Sequence, residues 1–314
     1  MDQPLQPAYV GIDVSKDRLD VHLLPEGKSF AVTRDGAGLS SLTTLLLERG
    51  VALVVLEATG GFEITVAAAL AGARLPTAVT NPRQIRSFAR AAGRLAKTDA
   101  LDAEIIARFG EQMRPEPRAV PDEQALLLAE LVTRRTQLIE MIKAEGNRER
   151  QARGARVARR LKAHGEWLRK ELQELETDIG DTVRGSPIWR ETEDLLVSVP
   201  GIGPTTARAL IAEMPELGKL DRRSSAALAG LAPIARDSGK FRGRRFIGGG
   251  RKSVRTALYM ATVVAARYNP AIRAFFKTLR ARGKPFKVAL TAAMRKLLTI
   301  LNAVLREKKP WQNA

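Results

Sequence analysis

Four carboxylates in the first third of the chain have the residue types and positions of a divalent-cation site. Asp13 stands at the C-terminal end of an apolar run, in Gly11-Ile-Asp-Val-Ser-Lys16, and Glu57 ends a second, in Val55-Leu-Glu-Ala-Thr-Gly-Gly61. Asp99 and Asp102 lie three apart in Lys97-Thr-Asp-Ala-Leu-Asp-Ala103, which puts both on one face of a helix. An acidic cluster repels itself, and a divalent cation is its usual remedy. Hard oxygen donors select Mg2+ or Mn2+, and two such ions ~3.5–4 Å apart activate phosphodiester chemistry. Taken singly, each acid has a plainer reading, Asp99 as a helix cap and Asp102 as a first-turn charge. Asp17 and Asp20 read as surface charges.

Two stretches further on have the chemistry of phosphate contact. Val197-Ser-Val-Pro-Gly-Ile-Gly-Pro-Thr-Thr-Ala207 is a helix-hairpin-helix signature, in which Gly201 and Gly203 permit a tight turn whose N–H groups can face a phosphate. In Ala232-Pro-Ile-Ala-Arg-Asp-Ser-Gly-Lys-Phe-Arg-Gly-Arg-Arg245, Ser238 is surrounded by Lys240, Arg242, Arg244 and Arg245. A serine attacking a phosphodiester must lose its proton, and the pentavalent phosphate needs cations around it. Guanidiniums meet the second need, so Ser238 reads either as a phosphate hydrogen-bonder or as a nucleophile. By composition Ser224, Ser225 and Ser253 compete with it. Gly248-Gly-Gly-Arg-Lys-Ser253 lacks the spacing and preceding strand of a nucleotide-binding loop, but its Arg251 and Lys252, with Arg255, extend the set of basic candidates for nucleic-acid contact.

The elements that must hold the carboxylates follow from hydrophobic patterning. Ala8–Val14, Arg18–Leu24 and Lys28–Thr33 read as three strands, followed by a helix over Gly38–Arg49 and a buried central strand over Val51–Leu56. A helix over Phe62–Ala71, a strand over Leu75–Thr80, and helices over Pro82–Arg90 and Ala100–Met113 complete the unit. Three meandering strands followed by alternating helices and strands is the order of an RNase H-like α/β fold. In such a sheet the first and central strands are neighbours and ligands sit at strand ends, so the four carboxylates can converge.

Pro115 to Pro121 reads as a linker. Beyond it, leucines at three- and four-residue steps, interrupted by Arg135, predict two long amphipathic helices joined by an Arg-rich bend over 146–160. They suit a coiled-coil or oligomerisation arm as well as an ordinary helical bundle. From Leu195 onward the pattern is helical, with basic loops at 218–225 and 236–253 and a last helix over Val288–Leu305. The predicted division is 1–118, 119–190 and 191–314.

Composition narrows the function. The 314 residues include no cysteine and two histidines, His22 and His164, which excludes disulfide scaffolds, thiolate catalysis, zinc ribbons and multi-histidine metal sites. No apolar run approaches the roughly 18–20 residues of a membrane span, and the N-terminus lacks a signal-like core, so the reading is a soluble intracellular protein without membrane partners. The net charge is +18, but residues 1–118 are neutral, and residues 219–314 carry 23 basic side chains against three acidic ones, Asp221, Asp237 and Glu307. Such a segment repels itself unless a polyanion neutralises it, which points to nucleic acid.

GIDVSK, LEATGG and KTDALDA, then VPGIGPTTA and APIARDSGKFRG, occur in one order over residues 8–306. In this the chain resembles the transposases of bacterial insertion-sequence family 110 and the related Piv-type DNA invertases. The resemblance implies a RuvC-like domain with a DEDD tetrad, a coiled-coil connector and a C-terminal transposase domain with a nucleophilic serine. By motif the tetrad falls on Asp13, Glu57, Asp99 and Asp102 and the nucleophile on Ser238. It further implies donor and target DNA as substrates and an element-encoded bridge RNA as guide. The expected protein is then a Mg2+- or Mn2+-dependent recombinase, a dimer or tetramer in the bacterial cytoplasm. Two rivals are a metal-dependent junction endonuclease, with Ser238 as a phosphate contact only, and a non-enzymatic nucleic-acid-binding protein, against which the intact tetrad speaks.

Overall fold

The computed structural model describes residues 7–94, 99–117, 121–239, 241–243 and 245–312, with the side chains of residues 99–101 outside that description. The first unit is built on β1 (Ala8–Val14), whose even-numbered residues Val10, Ile12 and Val14 are buried on one face of the sheet. β2 (Arg18–Leu24) and β3 (Lys28–Thr33) continue from it as an antiparallel meander. Asp35 caps α1 (Gly36–Arg49) by accepting from the Gly38 N–H at 2.8 Å. β4 (Val51–Glu57) then returns parallel to β1 and is apolar at almost every position, because both its faces are covered.

α2 (Phe62–Gly72) leads to β5 (Thr77–Thr80), parallel to β4. The predicted strand began at Leu75; the ladder starts at Thr77 because Pro76 has no N–H to donate. α3 (Pro82–Ala91) is capped by Asn81 and opened by Pro82, and α4 (Asp99–Met113) follows. The sheet order is β3-β2-β1-β4-β5, consistent with an RNase H-like domain. One face packs Val10, Ile12, Leu19 and Leu56 on Leu42, Leu46, Val66 and Leu70 of α1 and α2. The other packs Leu53, Val55 and Ala78 on Ile85 of α3 and Ile105, Ile106 and Phe109 of α4. Truncating a fully buried leucine such as Leu56 to Ala costs about 2–5 kcal/mol in such a core.

The packing divides the chain at Pro121, into 1–121 and 122–314. In the second unit α5 (Glu123–Gln151) and α6 (Ala155–Gly185) form a hairpin. The bend is narrower than the sequence suggests: helix runs through Gly146, and the break spans only residues 152–154. Arg135, which interrupts the leucine repeat, donates to Glu176 Oε1 across the hairpin at 2.7 and 2.9 Å. Leu128 and Val132 at its base, with Ile179 and Val183, join the core of the remaining helices.

Those are α7 (Pro187–Val197), α8 (Pro204–Glu213) and α9 (Arg222–Leu228), then α10 (Lys252–Tyr268), α11 (Pro270–Ala281) and α12 (Phe286–Glu307). Glu193, fully buried, is held by Arg184 at 2.6 Å and Arg208 at 2.7 Å. α12 is apolar and long enough by composition to cross a membrane, which the sequence reading overlooked because Arg295 and Lys296 interrupt its run. In the fold it is a core helix, with Leu290, Met294, Leu297, Leu298 and Leu301 buried against α7, α9, α10 and α11. The predicted loop over 236–253 contains short strands. β6 (Pro233–Ile234) pairs with β9 (Phe246–Ile247), and between them β7 (Asp237–Ser238) pairs with β8 (Phe241–Arg242).

Candidate functional site

Parallel pairing of Ile12 with Leu56 makes Asp13 and Glu57 the next pair of neighbours, at the C-terminal edge of β1 and β4. Adjacent strands lie about 4.8 Å apart, so the two carboxylates share one edge and one face. Both are half-buried. β2 places Asp20 directly opposite Asp13 on the same face. Asp20 is not the surface charge expected from its sequence: it is 7% exposed, and its Oδ1 accepts from Arg18 Nε at 3.1 Å. Sequence reasoning missed it because Arg18, two residues back on the same side of the strand, makes the buried acid look like part of a charged surface.

α4 covers this face and carries Asp102, itself half-buried. A methyl group built on Gly11 would stand 2.2 Å from the Ala103 carbonyl oxygen and 2.2 Å from the Ala107 nitrogen. The helix backbone therefore lies directly on β1, one residue from Asp102 and two from Asp13. Gly110, farther along, allows the same approach to Val55, whose Cγ2 would be 2.8 Å from an added methyl. Small residues on strand and helix are thus what let α4, which carries Asp102, pack so closely on the sheet. The side chain of Asp99 lies outside the described residues. Among the described residues no three Asp, Glu or His side chains form a closed metal-binding group. Asp13 and Glu57 on the sheet and Asp102 on the helix that covers it are all carboxylates, donors whose chemistry fits a hard divalent cation.

His22, opposite Gly11 on the same face, is buried, with Nδ1 2.7 Å from the Ser29 hydroxyl. Burial lowers its pKa, opposed by Glu104 and aided by Arg108 on α4.

The second candidate centre is the β7–β8 hairpin. Gly239, at φ +54°, follows Ser238 in a conformation costly for other residues. Asp237 accepts from Arg245 through two bonds, at 2.7 and 2.8 Å, and from the Gly243 N–H at 3.1 Å. The Arg245 guanidinium holds the Asp237 carboxyl below its usual pKa. Ser238 is exposed, and among the described residues its hydroxyl has no hydrogen-bond partner. Across the ladder stands Phe241, 67% exposed, a candidate contact that the sequence reading passed over as part of a basic loop. Arg242 is exposed beside it, 3.7 Å from Asp237. Lys240 and Arg244 lie outside the described residues.

The competing serines are engaged elsewhere. Ser224 donates to Asp221 Oδ2 at 2.6 Å and buried Ser225 donates to the Asp221 carbonyl at 2.8 Å, while burial raises the Glu213 pKa and the Ser253 hydroxyl opposes that shift. Arg251 donates to both Glu216 oxygens at 2.6 Å and to the Glu213 carbonyl at 2.8 Å, and Arg255 donates to the Gly249 carbonyl at 2.9 Å. Both are thereby tied into the loop that starts α10, whereas Lys252 is exposed. In the α7–α8 turn, Gly201 has φ +104°, and an added methyl would meet Ala265 Cβ at 2.6 Å, so this glycine serves the approach of α10. Gly203, at the start of α8, is exposed with open space beside it.

Comparison with known proteins puts the chain in the class of transposases. One family model, described as a transposase and named for a DEDD motif and IS110, matches residues 10–152; another, described as the transposase IS116/IS110/IS902 family, matches residues 193–277. The pilin gene-inverting protein of Moraxella bovis is 28% identical over 321 residues, covering 98% of each chain. The insertion element IS900 42 kDa protein of Mycobacterium paratuberculosis is 32% identical over 152 residues, 45% of this chain and 37% of that one. The chain belongs to the IS110 family of transposases and DNA invertases, enzymes of DNA recombination.

Proposed function

We propose that the chain cuts and rejoins DNA through a covalent phosphoserine at Ser238. The observation that carries this reading is the contrast among the candidate serines: Ser224 and Ser225 donate to Asp221 and Ser253 faces Glu213, whereas Ser238 stands exposed in an arginine-bearing hairpin with no hydrogen-bond partner among the described residues. In the reaction Ser238 Oγ forms a bond to phosphorus and gives up its proton. The bond from phosphorus to one deoxyribose oxygen breaks, and that oxygen leaves as a hydroxyl. A hydroxyl from a different strand then attacks the phosphoserine, restoring the serine and joining the new strands. No net bond energy is spent, which is what strand exchange without an external energy source requires.

Asp13, Glu57, Asp99 and Asp102 would hold the divalent cation, Mg2+ or Mn2+, which when bound polarises a phosphoryl oxygen and offsets its developing charge. Arg242 supplies further positive charge beside the serine, and Asp237 fixes Arg245. Donor and target DNA are the substrates. A bridge RNA as guide, action in the bacterial cytoplasm and assembly as a dimer or tetramer follow from the family resemblance. Two active sites are needed to exchange two strands, which is why more than one copy of the chain is required. The test is whether a nicked DNA substrate traps a denaturation-resistant protein–DNA adduct, which hydrolysis by water never forms.

A further inference from the structure

The bend of the α5–α6 hairpin has a charge that folding does not explain. Between residues 147 and 162 stand seven basic side chains and one acid, Glu149, whereas the two helical stems, 123–146 and 163–185, carry ten acids against six bases. Arg148 and Arg150 have local reasons to be there. They lie in the last turn of α5, where cations suit the helix dipole, and they donate to Glu145 and Asn147. Arg153, Arg156, Arg159 and Arg160 do not. All four are exposed, and no ion pair engages them among the described residues. Arg156 enters the first turn of α6, which contains no acid, at the positive end of the helix dipole. Like charges packed against a positive helix end are unfavourable in the isolated protein, and an anion removes that cost.

The bend also stands away from the rest of the unit. Val132 is the last α5 residue in the helical core, and the nineteen residues from it to Gln151 at ~1.5 Å each carry the bend about 28 Å along the hairpin. A second copy of the chain would present the same positive bend and be repelled by it. An acidic protein segment would find four arginines but little apolar surface, with Val157 alone exposed among them.

We infer that the bend of the α5–α6 hairpin grips the phosphate backbone of duplex DNA, adding a contact distant in sequence from both candidate catalytic centres. Long flexible cations without a base-reading element give backbone contacts, which position the duplex without selecting sequence. The inference goes beyond the recombination chemistry and does not depend on Ser238.

The experiment measures binding of the full chain to a duplex DNA of arbitrary sequence across a salt series. With Arg153→Gln, Arg156→Gln and Arg160→Gln combined, the log–log salt slope should fall by about 2–3, at roughly 0.9 per phosphate contact, and affinity at moderate salt by about tenfold or more. The three corresponding Arg→Lys changes, which keep the charge, should restore the slope. Arg134→Gln, Lys143→Gln and Lys170→Gln, removing equal charge from the stems, should leave it unchanged. Melting temperatures of all three variants report folding. An unchanged slope in the bend variant, an equal fall in the stem variant, or a loss seen only with an RNA duplex would each overturn the assignment to DNA.

Discussion

Gly11 of β1 and Ala103 of α4 meet backbone to backbone, with only 2.2 Å between the Ala103 carbonyl oxygen and the position a Gly11 methyl would take. That contact seats α4, one residue from Asp102, on the sheet face that carries Asp13 and Glu57. Gly11→Ala must therefore push α4 off the strand, since neither Ala103 nor Ala107 offers a flexible side chain to move aside. The expected loss is about 1–3 kcal/mol in urea unfolding, together with loss of strand cleavage. Gly110→Ala meets only a Val55 methyl and should cost less. A Gly11→Ala protein that unfolds like the wild type would show that the helix is not clamped there.

Asp13→Asn and Asp102→Asn each remove one anionic carboxylate and should abolish strand exchange in a protein that still folds and binds DNA. Chelation by EDTA should have the same effect on the wild type, and Mg2+ or Mn2+ should reverse it. Asp20→Asn should behave differently. Its carboxylate is buried against Arg18, so stability should fall even with metal in excess. Full exchange activity in the Asp13 variant would remove this edge from the chemistry.

Much of this arrangement is legible in the chain, for identifiable reasons. β1, β2, β3 and β4 are short, alternating or wholly apolar segments closed by turn residues, and the parallel pair β1–β4 follows once those strands are recognised. The closeness of α4 was not legible: Gly11 reads as a strand glycine, and nothing local shows that a helix some ninety residues away needs its missing methyl. Asp20 was misread because its burial depends on α4 as well. Arg251 and Arg255 look like nucleic-acid contacts in a basic run, and only the fold shows Glu216 and the Gly249 carbonyl receiving them.

His22 makes the first unit sensitive to acid. Its folded pKa is lowered by burial, so the folded state binds its proton less readily than the unfolded chain, whose histidine titrates near ~6.5. The contribution is complete above about pH 6.5 and is lost as pH falls through that value toward the lower folded pKa. Glu104 opposes the shift and Arg108 supports it, so Glu104→Gln should lower the folded pKa further. Thermal melting between about pH 5 and pH 8 should show the wild type losing stability in acid and a His22→Gln protein losing less. Parallel curves for the two would assign the acid sensitivity elsewhere.

Asp237 holds Arg245 beside Ser238, and its two roles separate in Asp237→Asn. Removing a negative charge should leave DNA binding equal or tighter, because the local field becomes more positive. Loss of the paired bonds to Arg245 should loosen the hairpin and lower the rate of covalent attack by about tenfold or more. A filter-binding titration and a single-turnover time course on the same substrate distinguish the two. Weaker binding with an unchanged rate would reverse this assignment.

The most direct test of the account is a nicked suicide substrate incubated with wild-type protein and with Ser238→Ala, then denatured and resolved for protein-linked DNA. The wild type should give an adduct that withstands denaturation, and peptide mapping should place it on Ser238. Ser238→Ala should give none while still binding the substrate, since one lost hydroxyl hydrogen bond costs only about 0.5–1.5 kcal/mol. An adduct that persists in Ser238→Ala, or a wild type that releases free ends with no adduct at all, would contradict the phosphoserine route.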